Sequence, residues 1–348
     1  MSRIVKGALA AERAGAFVGS VASFAERYPD AAVVMGSLVE AERKKTVSGD
    51  KFKSIPTFAF DKLYGCPDRE RGLVVYVPAG IDAGKKITIH VGGVTPGEGH
   101  HNCRNYIILE EGASAFVEIR YAGGLCACGR LAEIWVGRGA SLETVTFFDG
   151  DDSSADIVGT TVAECAEESR FRSTLIASGT RSFVDNTKVI LSGAGASAHV
   201  NGIALGRGDR RVACNTVVEH SRPDTSSRQL FRMVADDSSH LAFNGCIYVA
   251  HGADRTEACQ QNNNVVLTDT ARATAMPQLE IYADDVKCSH GSTVGKLSED
   301  AIFYMRQRGI PESEARRLQI EGFVAEVLAG IGDMRLIDEI SEKTGLLR

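Results

Sequence analysis

The sequence predicts a mainly β protein whose long central part is a solenoid, each turn stacked on the one before. Three observations carry this. From about residue 72 to residue 282, short runs rich in β-branched and aromatic residues alternate with Gly, Asp and Ser turns, with no helical period between them. Three similar corners recur inside that region, Gly112-Ala-Ser-Ala, Gly139-Ala-Ser-Leu and Gly195-Ala-Ser-Ala, each ahead of a strand-like run. The second interval, 56 residues, is about twice the first, 27 residues, and the polar corner Glu167-Glu-Ser-Arg stands halfway along it. The resulting period of about 28 residues suits a turn made of two strands and two corners. Thirdly, 36 Gly against 8 Pro suggest many tight turns and no Pro-rich linker. A β-sandwich with irregular hairpins is the structural alternative.

Taken in order, residues 1–70 form an N-terminal helical region and loop. Leu9, Phe17, Val21, Phe24 and Tyr28 recur mostly at steps of three and four, which predicts an amphipathic helix over 8–28. A second helix is expected over 35–44, and Gly49, Pro56, Gly65 and Pro67 mark a loop over 45–70. The β core spans 71–297, with runs such as Leu73–Val77, Ile87–Val91, Tyr106–Leu109, Ala115–Ile119, Leu142–Phe148, Val212–Val218 and Leu241–Val249. Residues 298–348 form a C-terminal helical region. Ser298-Glu-Asp-Ala starts its first helix behind a polar cap, and Gly309 stops it. Pro311 opens a second helix at its first position, which Gly330 and Gly332 break, and a third runs from Met334 to Lys343.

Composition narrows the function. With 39 Lys and Arg against 45 Asp and Glu, the net charge of −6 gives no support to nucleic-acid binding. No apolar run is long enough to cross a bilayer, so no membrane span is expected. The start, Met1-Ser-Arg-Ile-Val-Lys-Gly, lacks the apolar stretch of a secretory signal, so the protein is expected in the cytoplasm. There nine scattered Cys would be reduced thiols, some of them free to hold metal or sulfur. No G-x-x-x-x-G-K-[ST] phosphate loop occurs, so no nucleotide is expected on this chain.

The candidate chemistry lies mainly near the end of the β region. Cys288 and His290 are two positions apart, and on a strand alternate side chains share a face. Thiolate and imidazole are donors suited to iron and sulfide. Cys126-Ala-Cys128 is a weaker metal pair that lacks the second C-x-x-C of a structural zinc site. In His100-His-Asn-Cys103 the adjacent histidines would face opposite ways on a strand, and Asp284 and Asp285 would likewise point apart. Arg306 and Arg308 suit either a solvated face or a partner contact.

The stretch Pro277-Gln-Leu-Glu-Ile-Tyr-Ala-Asp-Asp-Val-Lys-Cys-Ser-His-Gly-Ser-Thr-Val-Gly-Lys-Leu297 continues through Arg306-Gln-Arg-Gly-Ile-Pro311 to Glu314-Ala-Arg316. Across 277–316 it closely resembles the C-terminal signature of the SufB/SufD family of iron–sulfur assembly proteins. The resemblance implies a right-handed parallel β-helix flanked by helical regions, and a dimer formed through that core. It implies C-terminal helices that dock a SufC-type ABC ATPase, and a transient, nascent iron–sulfur cluster built on the complex. The chain itself would be a scaffold and not an enzyme. Cys-Ser-His-Gly at 288–291 is similar to the SufD form; SufB members carry Glu-His-Glu there, so Gly291 replaces the second Glu. A SufB cysteine position falls on Asn262, with Cys259 three positions earlier as a weaker candidate. The implied ligands are His290 and Cys288 at a dimer interface, in a homodimer or with a SufB or SufD paralogue, and a sulfur donor protein is a further candidate partner.

Two other readings stay open at this point. One is a structural SufD-like subunit that holds no cluster. The other is a β-helix carbohydrate-active enzyme, which one Trp, nine Cys and the missing export signal count against.

Overall fold

The computed structural model describes residues 3–6, 15–20, 23, 27, 73–84, 86–91, 101–122, 127–149 and 156–344. The strands are β1 (Arg3–Lys6), β2 (Phe17–Ser20), β3 (Leu73–Val77), β4 (Ile87–Val91), β5 (His101–Leu109) and β6 (Ser114–Ala122). Then come β7 (Ala127–Val136), β8 (Ser141–Asp149), β9 (Asp156–Cys165), β10 (Arg170–Ala177), β11 (Ser182–Leu191) and β12 (Ser197–Gly206). The last are β13 (Arg211–His220), β14 (Ser226–Ala235), β15 (His240–Val249), β16 (Thr256–Val266), β17 (Arg272–Ile281) and β18 (Val286–Gly295). Three helices follow, α1 (Glu299–Arg306), α2 (Glu312–Leu328) and α3 (Met334–Lys343).

From β3 onward the chain alternates between two parallel sheets. Odd strands run in order from β3 to β17 in one sheet, and even strands from β4 to β18 in the other. Ser141, Arg170, Ser197 and Ser226 stand in register on successive even strands, each one full turn beyond the last. This is the parallel β-solenoid that the corner repeat predicted. The corners show why the repeat is visible in the sequence. Gly112, Gly139 and Gly195 all have positive φ, between 64° and 70°, a conformation cheap only without a Cβ. Glu168, in the polar corner between them, takes the same turn at φ 54°. The corners stack through backbone bonds: the Gly112 N–H donates to Arg138 O at 2.8 Å, Gly139 to Glu167 O at 2.8 Å, and Glu168 to Ala194 O at 2.9 Å.

Residues facing the lumen between the sheets form the main core. Tyr121 stacks on Phe148 with ring centroids 4.7 Å apart, and Phe148 meets Phe183 edge-on at 4.5 Å. The outer face of the odd sheet carries an amide ladder, in which Asn244 Nδ2 donates to Asn215 Oδ1 at 2.6 Å and Asn215 Nδ2 to Asn186 Oδ1 at 2.9 Å. The outer face of the even sheet carries the C-terminal helices. Val145, Phe147, Ile176, Ile203 and Leu230 pack against Val324, Val327, Leu328, Leu336 and Ile340. Each such side chain taken fully out of water contributes about 1.5–3 kcal/mol. Lys86 Nζ to Asp333 at 2.7 Å and the Arg120–Glu339 pair tie the third helix to the first turns.

Helix boundaries follow local chemistry. The Ser298 side chain accepts the Ala301 N–H at 3.2 Å and caps α1. Pro311 is the cap residue of α2, one position before the helical start expected for it. The predicted helix over 8–28 is corrected at residues 17–20, which form β2, while residues 23 and 27 are helical. Phe17 to Ser20 pair antiparallel with Tyr76 to Leu73, and β1 pairs in the same way with β4. An unpaired first strand needs backbone partners, and that demand overrides a helical apolar spacing. The helix expected over 35–44 and the loop over 45–70 lie outside the described residues.

One buried histidine gives the fold a pH limit. His220 is fully buried at a corner, its Nδ1 2.8 Å from Thr225 Oγ1 and its Nε2 2.8 Å from Ser227 Oγ. Burial holds its pKa down to about 4, whereas in the unfolded chain it titrates near 6.5. The unfolded state therefore takes up the proton first, so this contribution is complete above pH 6.5 and is lost as pH falls through 4. We expect urea titrations to show about 3 kcal/mol of stability lost across that window, and His220→Gln to flatten that part of the curve. An unchanged slope in the variant would remove His220 as the cause.

Candidate functional site

The last turn of the solenoid brings two of the sequence candidates, Cys288 and His290, onto one strand. On β16 the buried residues alternate: Thr256, Ala258, Gln260, Asn262 and Asn264. Gln260 is hydrogen-bonded to Gln229, which meets Thr216 of the opposite sheet, so this row faces the lumen. Their register partners on β18 are Val286, Cys288, His290, Ser292 and Val294. In a parallel pair, partners share a face. Cys288 and His290 therefore lie side by side on the lumen face of the terminal strand, as the spacing of two predicts.

The two differ in environment. Cys288 is half-buried among Ile247, Val249, Ala253, Ala258 and Leu279, and this burial pushes its thiol pKa up. A metal must displace that proton before the sulfur can ligate. His290 is exposed at the open end. Cys259 is exposed on the opposite face, in register with Ser289 and Arg228, so the strand separates it from the other two. Among the described residues no three His, Cys, Asp or Glu side chains of the chain converge on a metal position.

The remaining candidates fall elsewhere. Asp284 and Asp285 sit in the corner before β18, where the Asp285 carbonyl accepts the Arg255 N–H at 2.5 Å. Arg306 pairs with Glu312 at 3.2 Å, and Arg308 lies 4.3 Å over the Tyr304 ring. Cys126 and His100 lie outside the described residues, as do the side chains of Cys128, His101 and Cys103. Cys165 and Cys214 are fully buried in the lumen, where burial pushes both thiols up to about 12 and leaves them poor nucleophiles.

Of the amides beneath the site, sequence reasoning named Asn262, as the position of a SufB cysteine, and gave the row no role. Gln229, Gln260, Asn262 and Asn264 are all at most 2% exposed. Asn264 Nδ2 donates to Asn262 Oδ1 at 2.6 Å and to the Thr293 carbonyl at 2.9 Å, which ties β16 to the terminal strand. The signal was present as the polar run Gln260-Gln-Asn-Asn-Asn264, which reads as a loop until its alternate residues are placed in a lumen.

The terminal strands also leave an open end. Among the described residues, β17 and β18 each end their sheet. Met276 (52%), Ile281 (38%), Tyr282 (42%) and Val294 (53%) are large apolar residues exposed around it. A second exposed pair, Phe303 (62%) and Tyr304 (58%), lies on α1. Among the described residues no helix is long and apolar enough to cross a membrane.

Residues 94–323, about two-thirds of the chain, match the family model described as SUF system FeS cluster assembly, SufBD core domain. The iron–sulfur cluster assembly protein SufD of Escherichia coli is 37% identical over 160 residues, covering 46% of this chain and 38% of its own length. A SufBD family protein of Synechocystis is 29% identical over 198 residues, covering 57% and 44%. Protein ABCI7, chloroplastic, of Arabidopsis thaliana is 28% identical over 303 residues, covering 84% and 62%. The matched segments thus span less than two-thirds of each of these relatives.

Proposed function

Because this chain belongs to the SufBD family of the SUF iron–sulfur cluster assembly system, we propose that it is a scaffold subunit on which a nascent cluster is built, working with a SufC-type ABC ATPase. The observation that carries the reading is the placement of His290 and Cys288 on one face at the open end of the solenoid. One imidazole and one thiol are too few for a cluster, and a facing chain supplies the rest. The edges of β17 and β18, the last strands of their sheets among the described residues, with the apolar residues around them, suit end-to-end pairing with a second SufB/SufD-type chain. The chain binds no nucleotide and catalyses no reaction of its own; the ATPase supplies the work.

The E. coli and Bacillus subtilis relatives named SufD, together with Gly291, favour a second reading, a supporting subunit whose paralogue holds the cluster. On that reading His290→Ala leaves the cluster content of a mixed complex unchanged.

The ATPase surface is proposed to lie on α1, around Phe303 and Tyr304. Co-purification with the SufC-type ATPase tests this. We expect a stable complex for the parent chain and at least a tenfold weaker one for Phe303→Ala combined with Tyr304→Ala. The circular dichroism spectrum should stay the same, because both side chains stand in solvent. Undiminished binding would place the ATPase elsewhere, and no binding by the parent chain would contradict the scaffold reading.

A further inference from the structure

The lumen of the last turns holds amides whose orientation is settled by their partners. Gln229 Nε2 donates to the Cys246 carbonyl at 3.2 Å. A carbonyl only accepts, so the nitrogen of Gln229 must lie on that side. Its Oε1 therefore faces Gln260, and Gln260 Nε2 donates to it at 3.1 Å. Gln260 in turn has its oxygen pointing away, and that buried Oε1 has no hydrogen-bond partner among the described residues. The side chain reaches this position across the lumen because residue 245 is glycine: a Cβ there would collide with Gln260 Nε2. A buried acceptor left unpaired loses its hydration without replacement, so an arrangement that fixes one in place calls for a donor.

The neighbour on the open side is His290. It is the register partner of Gln260 on β18 and lies on the same lumen face. Adjacent strands are about 4.8 Å apart, which is within reach of a ring that turns toward the lumen. A neutral imidazole carries one N–H donor and one lone-pair nitrogen.

We propose that Gln260 is the positioning residue for His290, its buried Oε1 accepting the ring N–H so that the other ring nitrogen is held bare and turned toward the open end. The proposal rests on the reading of His290 as a cluster ligand. It gives one role to three features that otherwise have none in common: the Gln229–Gln260 chain, the glycine opposite it, and the orphaned oxygen. A histidine that ligates a metal through one nitrogen commonly has its tautomer fixed by a hydrogen bond at the other.

The test uses the full chain without iron, labelled with 15N-histidine, at pH 8, with His290→Ala to assign the signal. The expected result is a single ring tautomer for His290. Gln260→Leu removes the acceptor and should return the ring to the exchanging mixture of an exposed imidazole. Gln260→Glu keeps a carboxyl oxygen toward His290 as an acceptor for the ring N–H, so it should retain the single tautomer. Iron retained after anaerobic loading should fall about tenfold in Gln260→Leu and be kept in Gln260→Glu. An exchanging mixture in the parent chain overturns the proposal without any variant. A single tautomer that survives Gln260→Leu also overturns it, since another group or a bound water then holds the ring. A fixed tautomer in a chain that takes up no iron leaves the hydrogen bond standing and removes the cluster reading.

Discussion

Asp185→Ala is expected to destabilise the protein by about 3–5 kcal/mol, the usual cost of removing one partner from a buried ion pair. Asp185 lies on β11 and faces the lumen. Its partner, Arg130, starts two strands away on β7 and reaches it across β9. The guanidinium passes over Gly159, where a Cβ would collide with Arg130 Nε. Two hydroxyls complete the group: Thr187 Oγ1 donates to Asp185 Oδ2 at 2.8 Å, and Arg130 Nη1 donates to Thr161 Oγ1 at 3.3 Å. With Asp185 gone, a cation 3% exposed is left inside a solenoid without its counter-charge. The damage falls mid-solenoid, where each turn is stabilised mainly by its neighbours, so the loss should uncouple the two halves. Urea unfolding measures it. Arg130→Met with Asp185→Leu should recover most of the stability, because an apolar pair of similar volume carries no desolvation penalty. A single variant as stable as the parent would show that the pair contributes little.

The fold was legible where it rests on local chemistry. Positive-φ corners leave glycines at fixed spacing, and Gly112, Gly139 and Gly195 disclosed the turn length even though Glu168 breaks the pattern. Apolar runs marked strands such as β3 and β4 to the residue, and α3 also falls where it was expected. Several of the strands that were missed or read short carry polar residues into the lumen. β14 begins Ser226-Ser-Arg-Gln229 and β16 holds Gln260, Asn262 and Asn264, residues that an alternation rule assigns to solvent. The pairing of Cys288 with His290 followed from strand geometry alone. The exclusion of Cys259 did not, because the face a residue takes depends on its register with a strand one full turn away. Arg130, Gly159 and Asp185 were invisible for the same reason: they belong to three successive turns and meet only through the solenoid.

His290→Ala is expected to lower the iron and sulfide retained by the complex at least tenfold, whereas Cys259→Ala should change neither. Both residues are exposed and lie on neighbouring strands, so a general loss of structure would affect them alike. Only the face differs: His290 lies with Cys288 on the lumen side of the open end, and Cys259 lies outside. Cys288→Ala should fall with His290→Ala if both donate to one cluster. The most direct measurement is anaerobic purification of the chain with its SufC-type ATPase, read by iron and acid-labile sulfide content and visible absorption, for the parent and these variants. The scaffold account predicts bound or reconstitutable cluster in the parent and in Cys259→Ala, and its loss in His290→Ala. A complex that forms but holds no cluster, or one whose cluster is indifferent to His290, would contradict it.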